Sequence, residues 1–235
     1  MPQSNLVSHR NLLLAALPED DLRHFLLSCH PVHLTIESII NEPSEVIRNV
    51  YFPTQSFISL VKPLDGGGLE VGLIGNEGMY GMPIYLGVEI APFRAIVQGA
   101  GTALCLSSQA FALELQHSIA LQIQMKRYLY VSMSQLAQTA ACNRFHVVEE
   151  RLARWLLMTR DRSHAMQFHI THAFLAQMLG VRRVGVTKAA GSLQQKKLIS
   201  YRRGNISILD NAGLERVSCS CYQSDKNIYK QILHR

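Results

Sequence analysis

No stretch of this 235-residue chain approaches the roughly 20 consecutive apolar residues that a membrane-spanning helix needs. The one early apolar run, Leu12 to Leu17, is too short for a secretory leader and runs straight into Pro18-Glu19-Asp20-Asp21, so no signal peptide is expected. Cysteine is sparse. Cys29, Cys105, Cys142, Cys219 and Cys221 are odd in number and scattered, which argues against a disulfide framework and for a cytoplasmic location. Internal repeats and low-complexity segments are lacking too. What remains is an ordinary globular balance, 48% hydrophobic and 17% charged, enough for one or two cores.

Acidic residues are fewest where basic ones gather. Residues 1–140 hold 7 Lys and Arg against 11 Asp and Glu, whereas residues 141–235 hold 16 against 6. The net charge of +6 is therefore a balance of −4 followed by one of +10. A basic half behind a mildly acidic one suggests that one module meets a polyanion while the other does something else.

Three kinds of pattern follow one another along the chain. Residues 11–30 are amphipathic and helical, interrupted at Pro18. From Val32 to Leu106 short strand-like runs take over: Val50–Phe52, Phe57–Val61, Leu69–Ile74, Ala95–Val97 and Ala103–Leu106, with a hairpin turn at Asp65-Gly66-Gly67-Gly68. Many short strands with frequent turns predict a compact β-barrel or roll. Residues from about Ile119 to Asn143 lack Pro and Gly and predict one long helix. Along it Met125, Leu129, Met133, Leu136 and Ala140 recur at helical spacing, as the seam of a two-helix coiled coil would. The other reading of that stripe is a helix packed on its own barrel. A second amphipathic helix, Glu149 to Thr159, turns Leu152, Trp155, Leu156 and Met158 to a core.

The segment Ile170 to Ile199 reads as a helix-turn-helix. Leu175, Leu179, Val181, Val186 and Ala189 fall where two short crossed helices bury them, Gly180 suits the tight turn, and Thr171 is placed to cap the first helix. Arg182, Arg183, Thr187 and Lys188 open the second helix, the part of a recognition helix that meets base edges. An ordinary helical hairpin with a solvated basic face has the same pattern. Strands at Leu198–Tyr201 and Asn205–Leu209, joined around Arg202-Arg203-Gly204, add a wing behind the second helix and favour the DNA-binding reading.

A roll, a long helix and a winged helix in that order resemble the Crp/Fnr family of bacterial transcription regulators. The resemblance covers nearly the whole chain and is carried by NLLLAALPEDDL, by EPSEVIRNVYFPTQSFISLV, and by RLARWLL through to ISILDNAGLE. It implies an α+β chain with a cyclic-nucleotide-binding-like β-roll (a jelly roll) over residues 1–118, a dimerisation helix over 119–143 and a winged helix-turn-helix over 144–235. It implies double-stranded DNA, a second copy of the chain, RNA polymerase and a small-molecule effector as partners. Arg183 matches the family position that contacts guanine, and Lys188 that of a second base-reading arginine. Val184 replaces a frequent glutamate and could pack on a thymine methyl, so a different half-site is expected. Thr171, Gln177, Arg202 and Arg203 are candidates for phosphate contacts.

Departures from the family narrow the sensor. The effector-pocket positions read Gly81-Met82 and Arg94-Ala95 where cyclic-nucleotide binders carry Gly-Glu and Arg-Ser/Thr. Met82 accepts hydrogen bonds poorly and Ala95 has no hydroxyl, which argues against cyclic AMP. Arg94 is expected to bind another anion or, more readily, a nearby acidic side chain. Two turn positions that often carry glycine in relatives are Glu37 and Ser44 here. Iron–sulfur sensing in the family uses a cluster of cysteines near the N-terminus; only Cys29 lies there, and one thiolate cannot replace four ligands, so no cluster is expected. Cys219 and Cys221 form a pair, but two ligands do not make a metal site, and none is expected. The effector is unknown.

These observations predict a non-enzymatic, homodimeric, sequence-specific DNA-binding regulator. A nonspecific nucleic-acid-binding protein with a vestigial roll is the alternative. A cupin-like metal enzyme is opposed by the single histidine, His33, within residues 32–106.

Overall fold

The computed structural model describes residues 11–65 and 67–233. Gly66 of the expected turn, and the outermost residues of the first and last expected domains, lie outside the described residues. Pro18 divides the N-terminal helical region into α1 (Leu12–Ala15) and α2 (Glu19–Leu27). Glu19, Asp20 and Asp21 fill the first turn of α2, where carboxylates meet the positive end of the helix dipole.

The strands that follow are β1 (His30–Leu34), β2 (Ile39–Asn41), β3 (Asn49–Pro53), β4 (Phe57–Leu64) and β5 (Gly67–Ile74). After the short helix α3 (Met82–Tyr85) come β6 (Arg94–Gly99) and β7 (Gly101–Ser107). They form two sheets, ordered β1-β7-β3 and β2-β6-β4-β5. The five expected runs are β3 to β7. Sequence pattern missed β1 and β2 for a physical reason. Both lie at sheet edges, β1 contains Pro31 and buries only Leu34, and β2 is three residues long with a register shift against β6. Between the sheets lies a core of Val50, Phe52, Ile58, Val97, Leu104 and Leu106, closed by Phe25 and Phe111. Phe52 meets Phe25 and Phe111 edge-on, with ring centroids 5.3 and 6.1 Å apart.

Helix α4 (Ser108–His117) leads into α5 (Ile119–Phe145), the expected long helix. Ser118 caps α5 by accepting from the Leu121 amide at 3.0 Å. Leu121, Met125, Tyr128 and Val131 join the core of the roll. This corrects the expected seam at one position. Met125 is 0% exposed, its side chain consumed by its own roll, and cannot face a second chain. Leu129 is half-buried, while Met133, Leu136 and Ala140 stay exposed.

The C-terminal part comprises α6 (Val148–Ser163), β8 (Gln167–His169), α7 (His172–Leu179), α8 (Arg183–Gln195), β9 (Ile199–Arg202), β10 (Asn205–Ile208), α9 (Asn211–Val217) and α10 (Cys221–Leu233). The wing has three strands, ordered β8-β10-β9, one more than the sequence predicts. Strand β8 is three residues long and mostly exposed, too little pattern to read.

Packing divides the chain into two compact units. One contains the described residues up to Leu60, then Gly72–Ser134 and the chain from Ile228. The other contains Val61–Val71 and Gln135–Asn227. Helix α5 runs from one unit into the other. None of the described helices is long and apolar enough to cross a membrane.

Candidate nucleic-acid interface

Helix α8 is two-faced. Val186, Ala189, Ala190 and Leu193 are buried, while Arg183, Val184, Thr187 and Lys188 are exposed, as is Arg182 at the N-cap. Spacings of one, four and five residues put the exposed four on one face across the first two turns. Val184 is 59% exposed, an apolar side chain held out in water.

Helix α7 is set against α8 by a turn the chain is built to make. Gly180 takes φ +61° as the left-handed cap, and its amide bonds back to the Gln177 carbonyl at 3.2 Å. Arg151 on α6 donates to the Leu179 carbonyl from a buried position, satisfying an acceptor the helix end would leave open. Sequence reading missed this arginine, since nothing in an exposed-looking EERLAR marks it as buried. At the other end of α7, Thr171 Oγ1 accepts from the Phe174 amide at 3.2 Å, the expected cap.

The wing is tied to the same helices. His172 stacks on Tyr201 with ring centroids 4.4 Å apart and meets Thr187 Oγ1 at 3.1 Å. Tyr201 donates to the Ile170 carbonyl at 3.0 Å. Burial, then the Arg183 charge, lowers the pKa of His172, disfavouring its charged form between α8 and the wing. Opposite Arg202, Asn205 closes a two-residue turn in which Arg203 and Gly204 take φ of +51° and +84°. Positive φ at both positions is the type I′ pattern that matches strand twist. Arg202 and Arg203 are exposed at its tip.

Eight of the nine expected DNA-contacting residues are thus exposed on α7, α8 and the wing tip. The exception is Gln177, half-buried, whose Nε2 lies close to Gly68. The same β4–β5 tip bonds α6, where Trp155 Nε1 donates to Glu70 at 2.9 Å.

Residues 150–217 match the family described as the Crp-like helix-turn-helix domain. The chain carries a Crp-like helix-turn-helix domain. Solved structures extend the likeness in fold to most of the chain. FixK2 from Bradyrhizobium japonicum is 12% identical with a TM-score of 0.66, over 81% of this chain and 98% of its own. The c-di-GMP-responsive global regulator CLP of Xanthomonas campestris is 16% identical at 0.67, over 82% and 100%. A CRP-family transcriptional regulator from Thermus thermophilus is 20% identical at 0.65, over 80% and 96%. No curated protein matches by sequence. At these identities the structures establish a Crp/Fnr fold, and the Crp-like domain is established by its own match.

In the roll, the four expected effector-pocket residues do not form an open polar site. Gly81 holds φ +107° ahead of α3, Met82 packs against the core, and Ala95 is fully buried. Arg94 is engaged by Glu42 at 2.9 Å, the acidic partner expected from sequence. A cavity of about 540 Å³ lies instead between β2 and β3, lined by Asn41, Glu45, Arg48, Asn49 and Tyr51 among others. None of the four pocket residues lines it.

Beyond the Crp-like domain's helices, the cysteine pair has company that sequence reading did not give it. Cys142, in the last turn of α5, and His146, just after it, converge on Cys219 and Cys221. A hydrogen bond from Cys219 brings the Cys142 thiol down to about 5 against the effect of burial, helped by the charge of Arg154. The signal was a Cys-x-x-x-His spacing, which on a helix sets both side chains on one face.

Proposed function

We propose that the chain is a homodimeric, sequence-specific DNA-binding transcription regulator of the cytoplasm. The observation that carries this reading is the exposed row Arg182, Arg183, Val184, Thr187 and Lys188, two basic residues of which flank an apolar one on the free face of α8. A recognition helix needs such a face, while packing consumes the other. Arg183 would read guanine through O6 and N7, Val184 would meet a thymine methyl, and Lys188 a second base. Thr171, Arg202 and Arg203 would fix register on phosphates, with Gln177 a fourth candidate once its side chain turns outward. Two copies joined along α5 would present half-sites about one helical turn apart. RNA polymerase would be the partner through which DNA binding changes transcription.

The engaged Arg94 and the buried Ala95 support a sensor that does not take cyclic AMP. The charge asymmetry supports a division between a roll that responds to an effector and a domain that binds DNA. Selection from randomised duplexes, followed by gel-shift titration, tests the reading. The selected site is expected to be a near-palindrome. Arg183→Ala should cost about 1–3 kcal/mol of discrimination at one position of each half-site. Binding that shows no sequence preference before or after that substitution would favour the nonspecific alternative instead.

A further inference from the structure

Three cysteines, Cys142, Cys219 and Cys221, form a buried cluster of their own, separate from the apolar core. His146 completes it, and the four ligand atoms all lie within 4.8 Å of one another. Cys142 Sγ is 3.5 Å from Cys219 Sγ, and Cys221 Sγ is 3.5 Å from His146 Nδ1. Around one tetrahedral zinc ion, bond lengths of about 2.3 Å to sulfur and 2.0–2.1 Å to nitrogen set sulfur–sulfur edges of about 3.8 Å and sulfur–nitrogen edges of about 3.6 Å. The two observed distances are opposite edges of such a tetrahedron, already nearly closed. A polynuclear cluster would spread its ligands over two or more irons and hold those on different irons further apart than the 4.8 Å within which all four atoms lie here.

We propose that Cys142, His146, Cys219 and Cys221 form a closed tetrahedral site for a single zinc ion. Three thiolates and a neutral imidazole around a divalent ion leave one negative charge. The surroundings answer it: the guanidinium charges of Arg151 and Arg154 act on both Cys142 and Cys219. Arg154 is itself fixed by Asp225 at 2.6 Å, and Gln138 donates to Cys221 Sγ at 2.8 Å, so the shell that orients the ligands is in place. Four protein ligands leave no open position for a substrate, which makes the role structural. The ion ties the end of α5 to the α9–α10 junction, across 77 residues of sequence. The site stands independently of the DNA-binding reading.

Metal analysis of the full chain, purified anaerobically with reductant, is the test. About one zinc per chain is expected. Cobalt loaded in its place should give the intense d–d bands of a tetrahedral ion and thiolate-to-cobalt charge transfer. His146→Ala, at a half-exposed position that should leave the fold intact, is expected to weaken metal affinity by more than about 100-fold. His146→Cys should keep the stoichiometry and strengthen the charge-transfer band, and Cys29→Ser should change neither. A metal-free chain with five free thiols that does not take up cobalt overturns the proposal. So do iron with acid-labile sulfide, an octahedral cobalt spectrum, or a metal affinity, measured by chelator competition, that is equal in the wild type and His146→Ala. Should the variants unfold, the stoichiometry and cobalt spectrum of the wild type still decide.

Discussion

Glu37 and Ser44 hold φ of +65° and +71°, left-handed backbone that a Cβ disfavours. Both are pinned there by main-chain bonds at 2.8 Å, the Glu37 amide to the Val97 carbonyl and the Ser44 amide to the Ala91 carbonyl. Left-handed backbone costs a residue with a Cβ about 1–2 kcal/mol, and glycine gives back about 0.5–1 in unfolded-chain entropy. Glu37→Gly and Ser44→Gly are each expected to stabilise the roll by up to about 1 kcal/mol, read as an increase in the urea midpoint at unchanged slope. A decrease at either position would mean that its side chain contributes more than the turn costs. Both positions were legible in sequence, because the family resemblance marks them as glycine sites. Arg94 was legible in the same way, its acidic partner anticipated although Glu42 was not singled out. Arg151 was not, since burial of a charged side chain depends on a carbonyl, that of Leu179, whose position only the fold supplies.

At the scale of elements, α5 shows what periodicity can and cannot say. Its length and helicity follow from a run without Pro or Gly, but one stripe of apolar residues serves two masters. Toward the N-terminus the stripe faces the roll, where Met125 and Tyr128 are buried. Toward the C-terminus it is uncovered, with Met133 61% exposed and Leu136, Ala137 and Ala140 beside it. Sequence cannot locate the change-over, because a helical period is the same whichever surface it meets. The two ends separate in experiment. Met125→Ala should destabilise the chain by about 2–5 kcal/mol through a cavity in the roll and leave the oligomeric state unchanged. Met133→Glu should leave unfolding nearly unchanged and shift the species seen by light scattering from dimer to monomer. A dimer that survives Met133→Glu would place the interface elsewhere than on this stripe.

For the molecule as a whole, the order of elements and the charge step were readable because both are one-dimensional: strand alternation, helix length and the placement of arginines need no partner. What escaped reading was what the fold brings together from afar, such as Cys142 with Cys219, or Arg154 with Asp225. The charge step also supplies a measurement of the whole assembly. Each phosphate neutralised lowers the slope of log affinity against log salt by about 0.9. Arg202 and Arg203 are exposed at the tip of a wing that Tyr201 anchors to the body of the domain, which places them to meet phosphate rather than base. Replacing both by alanine removes two contacts per subunit. In a dimer the slope should therefore flatten by about 3.6, and in a monomer by about 1.8. The ratio of specific to nonspecific affinity should hardly move, whereas Arg183→Ala should lower that ratio and flatten the slope little. If the wing variant alters base preference as much as the helix variant does, the division of labour between phosphate-binding wing and base-reading helix is wrong, and the two elements read DNA as one surface.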